Sequence, residues 1–125
     1  MKKYLGIDWG EKRIGLALGD DETRIATPFK IVKNIQEIMG VVKEYEIDEI
    51  VLGVPFKIIG DKDSASDEFK SFYNKLKGEI SIPIQLIDER LSSRAADSLP
   101  GDKKTKASRD SIAAMLILED YINSL

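Results

Sequence analysis

Residues 6–17 read Gly6-Ile7-Asp8-Trp9-Gly10-Glu11-Lys12-Arg13-Ile14-Gly15-Leu16-Ala17. Tyr4 to Asp8 has the apolar character of a short buried strand, and the glycine after Trp9 marks a turn. From Arg13 to Gly19 the bulky residues Ile14, Leu16 and Leu18 alternate with Gly15, Ala17 and Gly19, which predicts a second strand with one full face and one nearly bare face. Glycine weakens a strand unless something approaches the backbone closely, so the bare face points to a packed helix or a ligand. The polar cluster Asp20-Asp21-Glu22 then turns the chain into a third strand around Ile25 to Val32. Three strands joined by short turns read as an antiparallel meander.

Beyond the meander the apolar spacing changes. Asn34 offers an N-cap with Glu37 three residues on, and Ile35, Ile38, Met39 and Val42 form a helical stripe that runs to about Tyr45. Ile50 to Val54 is a run of the buried-strand type, ended by Pro55, and a loop follows it. Phe69, Phe72, Tyr73 and Leu76 mark a second helix stopped near Gly78, and Ile84 to Ile87 is a fifth strand. Ser92 or Ser93 caps a short helix, Pro100 to Lys106 is a basic loop, and Ser108 caps a last helix from about Arg109 to Ile122. The order βββαβαβαα with right-handed crossovers gives an α/β fold, a mixed five-stranded sheet with helices on both faces, which is the ribonuclease H-like arrangement.

The length of 125 residues suits one domain spanning 1–125, with 42% hydrophobic residues to fill a core. The sequence has no Cys and no His, so thiol nucleophiles, thiolate zinc sites and imidazole bases are all excluded. Chemistry must run on carboxylates, Lys, Arg, Ser, Thr or Tyr with a hard metal. The basic start Met1-Lys2-Lys3 does not lead into a signal peptide, because Asp8 interrupts the apolar stretch. The longest apolar run, Ile112 to Leu118, is too short to span a membrane, and the expected compartment is the cytoplasm. Net charge is −3, yet Arg90 to Arg109 carries six Lys or Arg against Asp97 and Asp102. A local basic strip of this kind binds phosphates electrostatically on an acidic protein, although Lys-rich loops are also common solvated surface.

Three acidic positions can carry chemistry. Asp8 ends the first strand beside a glycine turn, where a carboxylate reaches a metal without a bulky neighbour, and a turn Asp bonded to its own backbone is the plainer alternative. Asp88-Glu89-Arg90 follows the fifth strand, and since strand neighbours point to opposite faces, at most one of the two acids joins Asp8. Asp110 shares its helix face with Ala113, Ala114 and Ile117, so this carboxylate lies on an otherwise apolar face that packs against the sheet. Three carboxylates from such elements would repel one another, and a divalent cation relieves the repulsion. Oxygen-only donors favour Mg²⁺ or Mn²⁺ over zinc, and a site of this type suits phosphodiester hydrolysis with two ions.

Over nearly its full length the sequence resembles the YqgF family, also called RuvX, described as pre-16S rRNA nucleases and as Holliday-junction-resolvase-like proteins. The matching segments are GIDWGEKRIGLALGD at 6–20, IVLGVP followed by Gly60 at 50–60, IDERLSS at 87–93 and RDSIAAMLILEDYI at 109–122. The resemblance implies a ribonuclease H-like nuclease with Asp8, Glu89 and Asp110 as catalytic metal ligands, Asp8 bridging the ions. Arg90 then lies near a substrate phosphate and Lys12-Arg13 matches the family's basic pair, with a structural ion pair the alternative for Arg13, while the charge distribution adds Lys103, Lys104, Lys106 and Arg109 as nucleic-acid contacts. One departure is Phe56-Lys57-Ile58-Ile59, which stands where the family carries a polar, Asn-containing loop.

The implied activity is metal-dependent processing of the 5′ end of pre-16S rRNA in ribosome biogenesis. The implied partner is structured RNA or branched DNA, and the implied state is a monomer or weak homodimer. A Holliday-junction resolvase would use the same chemistry but needs a symmetric dimer. An actin-like ATPase lacks its second domain here, and a non-catalytic adaptor would gain nothing from an unrelieved acidic cluster.

Overall fold

A computed structural model describes residues 1–55, 57–59, 62–64, 66–88 and 106–125, with side chains outside 57–59, 62–64 and 106–108. Strands β1 (Lys3–Asp8), β2 (Ile14–Asp20) and β3 (Ala26–Val32) form the expected meander. After helix α1 (Ile35–Glu44), β4 (Glu49–Val54) returns parallel to β1. A small hairpin of β5 (Lys57–Ile59) and β6 (Lys62–Ser64) leads to helix α2 (Asp67–Glu79), and β7 (Ile84–Asp88) then pairs parallel to β4. The last described helix is α3 (Lys106–Asn123). The main sheet has five strands in the order β3-β2-β1-β4-β7, with β1 at its centre.

Local chemistry explains most of the boundaries. The Asn34 side chain accepts from the Glu37 N–H at 3.0 Å, and the Glu37 carboxylate reaches back to the Lys33 N–H, which closes the start of α1 reciprocally. Ser66 caps α2 by accepting from the Phe69 N–H. That helix passes Gly78 and ends at Glu79. Two expectations are corrected. The stretch after Pro55 forms the β5–β6 hairpin rather than an unpaired loop, and α3 begins at Lys106, so Ser108 is inside the helix and is not its cap. The helix expected at Ser92 or Ser93 lies outside the described residues, as do the side chains of Ile58 and Ile59.

The two faces of the sheet are packed differently. On one, Leu5, Ile7, Leu16, Ile50 and Leu52 meet Ile35, Ile38 and Val41 of α1 and Phe69, Phe72 and Leu76 of α2. Each such side chain, fully withdrawn from water, contributes about 1.5–3 kcal/mol. On the other, α3 lies across the bare face of β1 and β2, with Ala114, Ile117, Leu118 and Ile122 against Tyr4, Ala17 and Val51. The bare face expected from the alternation of residues 13–19 therefore receives a helix. A Cβ added to Gly6 would stand 2.8 Å from Leu118 Cβ and 2.9 Å from the Ala114 carbonyl oxygen, and only glycine permits that approach. Among the described residues no helix is long and apolar enough to cross a membrane.

Candidate active site

Asp8 is the last residue of β1, and its partners across the sheet are Gly15 on β2 and Gly53 on β4. Paired residues in neighbouring strands share a face, so Asp8 projects on the α3 side between two positions with no side chain. The next residue turns the other way. The Trp9 ring sits edge-on to Phe69 with centroids 5.7 Å apart and lies 6.0 Å from Phe72, which seats the exit of β1 on α2.

Gly15 links Asp8 to the second acid. A Cβ at Gly15 would fall 2.2 Å from the Asp110 carbonyl oxygen, so the first turns of α3 press directly on the strand position paired with Asp8. Asp110 is half-buried and Arg109, beside it, is exposed. Thus two of the three acids expected from the sequence, one ending a central strand and one early in the last helix, come to the same corner of the sheet. Their oxygen-only chemistry fits a hard divalent cation.

The register also decides the geometry of the Asp88-Glu89 pair as far as it is described. Ile87 is opposite Gly53, on the α3 side, whereas Asp88 is opposite Val54, whose side chain belongs to the α1/α2 core. Asp88 therefore points away from the Asp8 face. Glu89 and Arg90 lie outside the described residues, and so do Lys103 and Lys104. Among the described residues no group of three acids could hold a metal ion.

Of the basic candidates, Lys12 is exposed and Arg13 half-buried in the turn that joins β1 to β2, at the Asp8 end of the sheet. The ion pair considered for Arg13 does not form among the described residues. Lys106 is the first residue of α3, three residues before Arg109.

Sequence reading missed a polar cluster at the far end of α3. Glu49, only 3% exposed, accepts at Oε2 from the Tyr121 hydroxyl at 2.8 Å and at Oε1 from Lys2 Nζ at 3.2 Å. Burial first, and then the bond to Glu49, pushes the Tyr121 hydroxyl up to about 12, and the bond to the same carboxylate raises the Lys2 ammonium. One signal was available: Glu49 alternates in phase with Val51, and so lies on the α3 face of a buried strand.

Residues 2–124 match the family model described as RuvX, Holliday junction resolvase. The chain belongs to the RuvX family. A protein of Orientia tsutsugamushi (strain Ikeda), provisionally named a pre-16S rRNA nuclease, is 40% identical, with 99% of this chain and 85% of the relative covered. A Mycoplasma mobile protein with the same provisional name is 37% identical over 98% of this chain and 92% of its own length. Among solved structures, Thermus thermophilus RuvC in complex with a Holliday junction substrate superposes with a TM-score of 0.61 at 13% identity, covering 94% of this chain and 92% of that one. The fowlpox virus resolvase in complex with Holliday junction DNA gives 0.52 at 15% identity, covering 98% and 97%. At these identities the likeness speaks for the fold, and this RuvX chain has the ribonuclease H-like fold.

Proposed function

We propose that this RuvX-family chain is a single-domain, metal-dependent nuclease of the cytoplasm that hydrolyses phosphodiester bonds at the 5′ end of pre-16S rRNA. The observation that supports the reading is the close approach of the Asp110 backbone to Gly15, the strand partner of Asp8, where the sheet has no side chain to keep the helix away. Asp8, Glu89 and Asp110 would hold two Mg²⁺ or Mn²⁺ ions, which would supply a nucleophile from water and relieve charge on the scissile phosphate. Glu89 is preferred to Asp88 because the register turns Asp88 toward the α1/α2 core. Lys12, Arg13 and Arg109 of the described residues, with Arg90, Lys103, Lys104 and Lys106, would bind and orient substrate phosphates, and their contribution would weaken as salt rises.

The family description and the junction-bound structural neighbours favour one second reading, a resolvase of branched DNA. That activity needs two sites on opposed strands and so a symmetric dimer, whereas RNA processing is compatible with a monomer. The deciding experiment presents a labelled pre-16S rRNA fragment and a labelled four-way DNA junction with Mg²⁺ or Mn²⁺ to wild type and to folded Asp8→Asn. The expected result is cleavage of the RNA that vanishes in the variant. Cleavage of the junction alone, by a dimer, would favour the resolvase, and equal cleavage by Asp8→Asn would sink the carboxylate site.

A further inference from the structure

α3 packs on a face with little side-chain bulk. Its contacts with β1 and β2 run over Gly6, Gly15 and Ala17, and apolar contact has no preferred direction. Directional bonds hold its C-terminal end. Tyr121 donates to the buried Glu49 carboxylate, and its ring stands edge-on to Tyr4 with centroids 5.8 Å apart. Independently, Arg24 Nη2 donates to the Ile122 carbonyl oxygen at 2.7 Å, binding a carbonyl of the last turn with a positive charge where the helix dipole favours one.

The β2–β3 turn is shaped to deliver that guanidinium. Asp20 accepts from the backbone N–H groups of Glu22 and Thr23 and from the Thr23 hydroxyl, and Arg24 follows in the left-handed region at φ 59°. A residue with a side chain adopts that conformation reluctantly and is held there by its surroundings. Asp110 and Tyr121 are eleven residues apart, close to three full turns, so they lie on one side of α3 roughly 16 Å from each other.

We propose that Tyr121, Glu49 and Arg24 are positioning residues that set the axial position of α3 on the sheet and thereby the place of Asp110 relative to Asp8. Bulk stability alone explains the arrangement poorly, since a buried ion-paired carboxylate contributes little that a packed apolar pair would not, and setting a register is the best-attested use of such a group. The inference rests on the metal-site reading for its functional consequence and stands without it for the mechanics.

The test compares wild type with Tyr121→Phe and Arg24→Ala by amide hydrogen exchange, and by calorimetric titration with Mn²⁺. The expected result is exchange at Ser111–Ala114 accelerated beyond any change at the β1 and β4 amides, with Mn²⁺ bound about fivefold more weakly. Glu49→Gln keeps an oxygen for Tyr121 and should largely preserve the wild-type exchange at Ser111–Ala114. Leu76→Ala, on the opposite face, should lose stability while binding Mn²⁺ as wild type does. Acceleration confined to 119–125, or Mn²⁺ binding that only follows overall stability, would overturn the proposal. If either variant fails to fold, the other carries the comparison. Wild type that binds no Mn²⁺ in an Asp8-dependent way would refute the metal site, while the exchange data would still decide whether Tyr121, Glu49 and Arg24 position α3.

Discussion

On the α1/α2 face, β1, β2 and β4 present Leu5, Ile7, Leu16, Ile50 and Leu52, all fully buried, whereas on the α3 face the same strands present Gly6, Gly15, Ala17 and Gly53 beside the larger Tyr4 and Val51. The first face supplies most of the large apolar burial. The second gives up part of that burial at its glycines so that a helix backbone can lie against the sheet, and with it comes a carboxylate near the end of the central strand. One sheet thus separates stability from chemistry by the parity of its residues.

The largest expected effect comes from filling the thin face. Gly15→Val would drive its side chain into the Asp110 carbonyl, displace the start of α3, cost about 3 kcal/mol in urea unfolding and abolish cleavage. A variant with wild-type stability and activity would show that the faces do not differ as described. On the thick face, Leu52→Ala should cost a comparable amount, about 2–5 kcal/mol, yet leave cleavage per folded molecule intact. Loss of Mn²⁺ binding in that variant under conditions where it stays folded would blur the comparison.

A pH series sharpens the contrast along α3. Tyr121 is raised from 10.0 to about 12, so the neutral hydroxyl is favoured in the folded state. Its contribution is complete below pH 10 and is lost as pH rises toward 12, a fall of about 1–2 kcal/mol. Tyr4 and Lys2, raised at the same pole by burial and by Glu49 respectively, act in the same direction. Thermal melts between pH 9 and 12 should show the decline, and Tyr121→Phe should flatten it. The smallest effect is expected at Gly40, exposed within α1, where an added Cβ meets nothing within 4 Å. Gly40→Ala should stabilise the fold by about 0.5–1 kcal/mol in the same unfolding assay and leave both faces unchanged.

Much of this contrast was legible before any coordinates, because strand parity and helix spacing are local properties. The alternation of residues 13–19 announced a bare face, and the alanines and isoleucine three, four and seven residues after Asp110 announced a helix able to cover it. Asp88 and Glu89 could not be separated locally, since which is in phase with Asp8 depends on the pairing of Gly53 with Ile87 across two strands. The β5–β6 hairpin was hidden by three-residue strands too short to show a period, although Gly60-Asp61 between them is a hairpin signal. The bond between Glu49 and Tyr121 joins groups 72 residues apart, and no sequence period reports it.

The aromatic seat of Trp9 has an optical consequence. Trp9 is the single tryptophan of the sequence and is one peptide bond from Asp8. Its indole, half-buried against Phe69 and Phe72, emits from the far side of the strand that ends in the candidate metal ligand. Paramagnetic Mn²⁺ arriving at that carboxylate should quench the emission, and a lanthanide taken up in its place should be excited through it. The occupancy of the site can therefore be followed as light, in the native chain and in real time.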